Sequence, residues 1–210
     1  MKEDVLEQLV DDYLQAKGYF TTHNIKFKPR KDHPDFISLQ DSNYSDIDVV
    51  GFKPREKDPN RVWVCSCKSW QLGFNIKLIL DDIKHKRTRY GREQWKPFRE
   101  LTQPKWSEAL IDKIFEITGT RKFTYFTAVT RVKGSVEGRA LWENHKPFTD
   151  AMRGNPIKLL TLSEMLEELF PKITGTVASS QLGRTLQLIK ASGWEFAKTA
   201  RKNVGGKTVV

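Results

Sequence analysis

Two stretches, Ser45–Phe52 (SDIDVVGF) and Arg61–Lys68 (RVWVCSCK), decide the fold. Each alternates β-branched or apolar residues with small or polar ones, the two-residue period of a strand with unlike faces. The segment between them, KPREKDPN (53–60), is polar and proline-containing, so the pair reads as an antiparallel hairpin. In the first strand Asp46 and Asp48 alternate with Ile47 and Val49, which sends both carboxylates to one face. In the second, Val62, Val64, Ser66 and Lys68 share one face, and Trp63, Cys65 and Cys67 share the other. A turn centred near Lys57 sets Asp48 opposite Ser66 and Asp46 opposite Lys68, at the open end of the hairpin. Carboxylates beside a lysine at a sheet edge suit a hard cation facing a phosphate.

Outward from the hairpin, the segments alternate between helix and strand. Residues 3–17 (EDVLEQLVDDYLQAK) space Val5, Leu6, Leu9, Tyr13 and Leu14 as one helical face, with a stop at Gly18. Tyr19–Phe27 reads as a first strand and 28–43 as a loop. Residues 76–92 read as a helix, apolar at its start and strongly basic at its end. Another helix covers 107–117, stopped near Gly119, followed by a strand at Phe123–Val132 and a short helix at Ala140–Lys146. Ile157–Leu162 is a short strand. Ser163–Phe170 is a helix with a capping-box start at Ser163, ended by Pro171. A TGTVASS linker, a helix at Ser180–Ala191 and a basic tail (ARKNVGGKTVV) complete the chain. This order predicts an α/β fold with a mixed central sheet flanked by helices. Residues 1–172 form the domain, and 173–210 form a small basic helical extension.

The 210 residues include 36 Lys and Arg against 26 acids, a net charge of +10. That balance suits a polyanionic partner. The surplus is concentrated: Lys84 to Lys105 carries eight cations and two glutamates, with Tyr90, Trp95, Phe98 and Trp106 among or beside them. Cations neutralise phosphates and interleaved aromatics stack on bases. Lys84, Lys86, Arg87, Arg89 and Arg92 are the candidate phosphate contacts, the arginines foremost for their bidentate geometry. A solvated basic helix with core aromatics is the plainer alternative. No run is long and apolar enough to span a bilayer, and the acidic start is unlike a signal peptide. Two cysteines make no disulfide framework, and a cytoplasmic location is expected. The C-X-C pair faces away from Lys68 and reads as core packing. His23, His33, His85 and His145 lack zinc-ligand spacing.

The N-terminal helix with Glu7, then SDIDVVGF, then VWVCSCKSW resembles the PD-(D/E)XK nuclease superfamily, most nearly its Mrr-type restriction endonucleases. The likeness covers roughly residues 3–170 and implies a restriction-endonuclease-like fold. It also implies a metal-dependent DNA endonuclease using Mg²⁺ or Mn²⁺. On that pattern Asp48 is the main metal ligand, with Asp46, Glu7 and the Cys67 main-chain carbonyl as accessory contacts. Lys68 orients the attacking water. The chain departs from the pattern at Ser66, where the family carries an acid and Mrr-type members often carry Gln. A hydroxyl holds a dication more weakly than a carboxylate. Compensation would come from Asp46 or Glu7, or from an acid on the next helix, Asp81 or Asp82. Homodimerisation would suit double-strand cutting, although no residues designate a dimer face. Two other readings stand beside this one: a non-catalytic nucleic-acid-binding protein on a degenerate nuclease fold, and an assembly protein with an acidic protein partner.

Overall fold

The computed structural model of the protein describes residues 4–133, 136–174 and 180–194. Most of the TGTVASS linker and the basic tail lie outside them. Helix α1 (Val5–Ala16) starts where Asp4 accepts the Leu6 N–H at 2.8 Å, and it buries Leu6, Leu9, Val10, Tyr13 and Leu14. The chain reverses at Gly18, whose φ of 83° suits a residue without Cβ. Strand β1 (Phe20–Phe27) follows, then a loop that holds one short helical turn, α2 (Ser38–Asp41). Strands β2 (Ser45–Phe52) and β3 (Val62–Lys68) form the expected hairpin. Their register, Val49↔Cys65 through Phe52↔Val62, is the one implied by a turn near Lys57.

The segment after β3 departs from expectation. Strand β4 (Phe74–Asn75) leads into helix α3 (Ile76–Lys84), which ends well short of Arg92. The basic run continues instead as a two-stranded hairpin, β5 (Thr88–Arg89) and β6 (Arg92–Glu93). Tyr90 and Gly91 between them both have positive φ, 51° and 71°. Two such residues make the tight turn whose twist matches its flanking strands, which a helix cannot contain.

A 3₁₀ turn (Lys96–Phe98) and helices α4 (Arg99–Thr102) and α5 (Pro104–Thr118) follow, with Gly119 left-handed at the end. Strands β7 (Thr124–Val129) and β8 (Val132–Lys133), helices α6 (Val136–Glu143) and α7 (Lys146–Ala151) and strand β9 (Ile157–Thr161) come next. Helix α8 (Leu162–Leu169) is capped by Thr161 rather than Ser163. The Glu164 carboxylate returns to the Thr161 N–H at 2.8 Å, so the threonine-to-glutamate spacing three residues apart decides the cap. Helix α9 (Gln181–Ala191) is the last described element.

The fold is mixed α/β. Its central sheet runs β1-β2-β3-β7-β9, antiparallel among the first three strands and parallel among the last three. All six residues of β7 are buried, as expected of a strand covered on both faces. One face packs α1, α8 and α9, with Val49, Cys65 and Ala128 meeting Leu9, Leu14, Met165 and Leu186. The other face is covered by α3 to α7 through Trp106, Trp142, Phe98, Phe148 and Ile111. Cys65 is fully buried in the first of these clusters, as the alternation of β3 requires. Helix α9 is fastened further by Ser180 Oγ donating to Asp12 Oδ2 at 2.6 Å, and by Lys190 donating to the carbonyl of Ile173.

Candidate active site

Regular strand pairing fails around Asp48 on both sides. Strands β1 and β2 pair at His23↔Val49 and at Ile25↔Ile47 but skip Asn24, which takes a φ of 52°. The β2–β3 ladder stops at Val49↔Cys65. Asp48 therefore leaves the ladder, and its Oδ2 accepts the main-chain N–H of Cys67 at 2.6 Å. Asp48 is pushed up from the usual carboxylate range by burial, with Glu100 and Asp46 adding to the shift. Lys68 and the Cys67 N–H oppose it.

Ser66, 7% exposed, accepts a hydrogen bond from Lys68 Nζ at 2.8 Å. The lysine and the motif-position serine thus touch through the alternation that puts both on one face of β3. Lys68 also lies 5.8 Å from the centre of the Phe98 ring. These groups line a cleft of about 180 Å³ bounded by Ser45, Asp46, Asp48, Ser66, Lys68, Lys96, Pro97, Arg99 and Glu100. Three carboxylates and three cations therefore share one small opening at the ends of β2 and β3.

Glu100 is the residue that sequence reasoning missed. It sits on α4, is 6% exposed, and accepts the hydroxyl proton of Tyr125 on β7. Tyr125 OH also interacts with Ser66, so strand β7 ties the acid to the motif strand. Burial and the Glu100 charge hold the Tyr125 hydroxyl well above its usual range. A sequence signal did exist: Glu100 is an acid between Phe98 and Leu101 in a run otherwise rich in cations.

Of the acids expected to compensate for Ser66, the two on α3 stand elsewhere. Asp82 is 2% exposed and takes a two-pronged contact from Arg89, Nε at 2.6 Å and Nη2 at 2.8 Å. Asp81 pairs with His85 and Arg87, both at 3.0 Å. Neither lines the cleft. Asp46 lines it, yet its carboxylate is held by Lys26 at 2.5 Å. Glu7 stands beside the cleft on α1. Its pKa is pushed up to about 7, first by burial and then by Asp48, Asp4 and Asp46, with Lys68 opposing. Cys67 enters through its main chain, while burial raises its thiol pKa well above the ordinary range. Of the candidate phosphate contacts, Arg87 and Arg89 are engaged by Asp81 and Asp82. Lys84, Lys86 and Arg92 are exposed and have no acid partner among the described residues.

Among the described residues, no group of three or more His, Cys, Asp or Glu side chains is close enough to hold a metal. The cleft instead combines the carboxylates of Asp48 and Glu100 with the Ser66 hydroxyl. That hard, all-oxygen set fits Mg²⁺, which is commonly held by one or two carboxylates and completed by water and phosphate oxygens. It does not fit zinc, which favours nitrogen and sulfur donors. No helix among the described residues is long and apolar enough to cross a membrane. No family model, curated protein or solved structure matches the chain.

Proposed function

We propose that this protein is a metal-dependent DNA endonuclease of the restriction-endonuclease-like class. One observation carries the reading: Asp48, Ser66, Lys68 and Glu100 converge on one cleft with Lys96 and Arg99 on its wall. The order of elements, a helix followed by an antiparallel three-stranded meander and a crossover to a parallel strand, supports the same reading.

Asp48 and Glu100 are the residues that would hold the dication, with Ser66 as a neutral third donor. When bound, Mg²⁺ or Mn²⁺ supplies charge stabilisation at the phosphate and lowers the pKa of water. The protein's own part is positioning. Lys68, held by Ser66 at 2.8 Å, keeps its ammonium where it orients the attacking water and offsets negative charge developing on phosphorus. Lys96 and Arg99 flank the opening and take the neighbouring non-bridging oxygens. Arg99 is pre-set for this role, stacked 4.8 Å from the Trp106 ring and donating to the Lys96 carbonyl at 3.1 Å. In the reaction the attacking water gives up a proton to solvent as its oxygen bonds to phosphorus, the P–O3′ or P–O5′ ester bond breaks, and solvent protonates the departing oxygen.

The test is cleavage of plasmid and single-stranded DNA in Mg²⁺, Mn²⁺ or EDTA by the wild type, Asp48→Ala, Lys68→Ala and Glu100→Ala. Metal-dependent cutting that all three substitutions abolish is the expected result. Failure to cut with either metal rejects the enzyme reading. Ser66 in the motif position then favours a non-catalytic DNA-binding protein, which retains binding in all three variants.

A further inference from the structure

The β5–β6 hairpin raises an aromatic ring into solvent where the fold gives it nothing to pack against. Tyr90, at its tip, is the most exposed large apolar side chain described, with a relative exposure of 102%. Turn chemistry does not explain it. A two-residue turn with both φ values positive favours Asn-Gly or Gly-Gly, and tyrosine gives up that preference. Packing does not explain it either, since the ring is bare.

The hairpin's base, by contrast, is firmly held. Arg89 grips the buried Asp82 carboxylate with two hydrogen bonds, the Arg87 N–H donates to the Asp82 carbonyl at 2.9 Å, and the Gln94 N–H donates to the Arg87 carbonyl at 3.0 Å. Glu93 is joined to the cleft wall by Lys96 at 2.7 Å and by Trp95 Nε1 at 3.3 Å. A small, anchored finger thus stands next to the candidate active site, with Lys84, Lys86 and Arg92 exposed around it.

We propose that this hairpin is a base-stacking finger: Tyr90 stacks on an unpaired base of single-stranded DNA, and Lys84, Lys86 and Arg92 take the adjoining phosphates. Every base offers a π-face, so one rigid aromatic with flanking cations binds single strands without reading sequence. The charge complement favours a polyanion over an apolar partner. The inference rests on the nucleic-acid reading of the cleft and extends it to the form of the substrate. Lys96 lies six positions along the chain from Tyr90, a main-chain reach of at most about 21 Å. The stacked base therefore lies only a few nucleotides from the phosphate at the cleft, with unpaired DNA beside the cut.

The experiment is an anisotropy titration of the full chain, in EDTA, with a labelled oligothymidylate and with a duplex of equal length. Tyr90→Ala is expected to weaken single-strand binding roughly tenfold and duplex binding little, while Tyr90→Phe retains wild-type affinity. The slope of log affinity against log salt stays unchanged in Tyr90→Ala and falls in the Lys86→Ala/Arg92→Ala double variant. An oligonucleotide carrying 2-aminopurine is quenched by the wild type and not by Tyr90→Ala. Wild-type affinity in Tyr90→Ala, equal losses on both DNAs, or no single-strand binding by the wild type each overturns the proposal. Because no metal is present, the result is independent of cleavage. A chain that stacks but never cuts keeps the finger and loses the enzyme, and the converse result loses only the finger.

Discussion

The Tyr125 hydroxyl donates to the Glu100 carboxylate, joining an acid from a short helix to the central strand that runs beside Ser66. Through this bond a residue far along the chain from the β2–β3 hairpin becomes a wall of the hairpin's cleft. On the proposed reading Glu100 is the second metal-holding acid, where β3 itself offers only the Ser66 hydroxyl.

If Glu100 is that second acid, its removal is as damaging as removal of Asp48. Glu100→Gln is expected to lower the metal-dependent cleavage rate at least about 100-fold, the usual scale for losing one preorganised electrostatic group. Ser66→Glu in the Glu100→Gln background should restore part of the rate by returning an acid to the motif strand. Single-turnover cleavage rates measure both. Wild-type rates in Glu100→Gln would remove the residue from the site.

Tyr125→Phe separates the bond from the ring. It leaves the fully buried aromatic packing in place and strips one hydrogen bond from a buried acid. A loss of about 1.5–3 kcal/mol in urea-derived stability is expected for a bond to a charged group. Cleavage should fall as well, because the Glu100 carboxylate then loses the Tyr125 hydroxyl that orients it. A variant that stays folded at the assay temperature but cuts slowly is the signature of a positioning role.

The loop before β2 is pinned by a buried ion pair. Lys105 and Asp41 are 6% and 1% exposed, their charged atoms stand 2.6 Å apart, and Trp106 Nε1 donates to the same carboxylate at 3.2 Å. Burial pushes Asp41 up, but Lys105, the Ile37 N–H and Trp106 outweigh it and hold the carboxyl below its usual range. Either Asp41→Ala or Lys105→Ala should cost about 3–5 kcal/mol by stranding its partner. The double variant Asp41→Asn/Lys105→Met should recover much of that loss. Because the folded pKa is depressed, this stabilisation is present above the unfolded carboxylate pKa. It is lost as pH falls through the folded value, so Asp41→Asn flattens the acid limb of the stability curve. Guanidinium titrations across pH test both statements.

Glu7 has the opposite sign. With its folded pKa raised to about 7 from 4.5, the folded protein holds a proton that the unfolded chain has released. Stability should therefore fall as pH rises from about 4.5 to about 7, and Glu7→Gln should remove that part of the slope. A thermal-melt series over this range decides it. An unchanged slope in Glu7→Gln rejects the linkage.

The β2–β3 hairpin and its register were legible in the sequence alone, because strand alternation and a polar turn are local properties with a two-residue period. The same local logic placed Asp48, Ser66 and Lys68 together, buried Cys65 on the far face and set the stop at Gly119. Tertiary structure decided the rest. Asp81 and Asp82 carry the charge expected of a compensating acid, but the folded chain spends them on Arg87, His85 and Arg89. Glu100 carries no motif; the packing of α4 on α5 and α7 and the Tyr125 hydroxyl of β7 bring it to the cleft. The basic run broke from helix into a finger because a Tyr-Gly turn and the Asp82 anchor are satisfied together only in three dimensions. Periodicity along a chain reports which face a residue occupies. Which distant charge meets that face depends on contacts that close only when the chain folds.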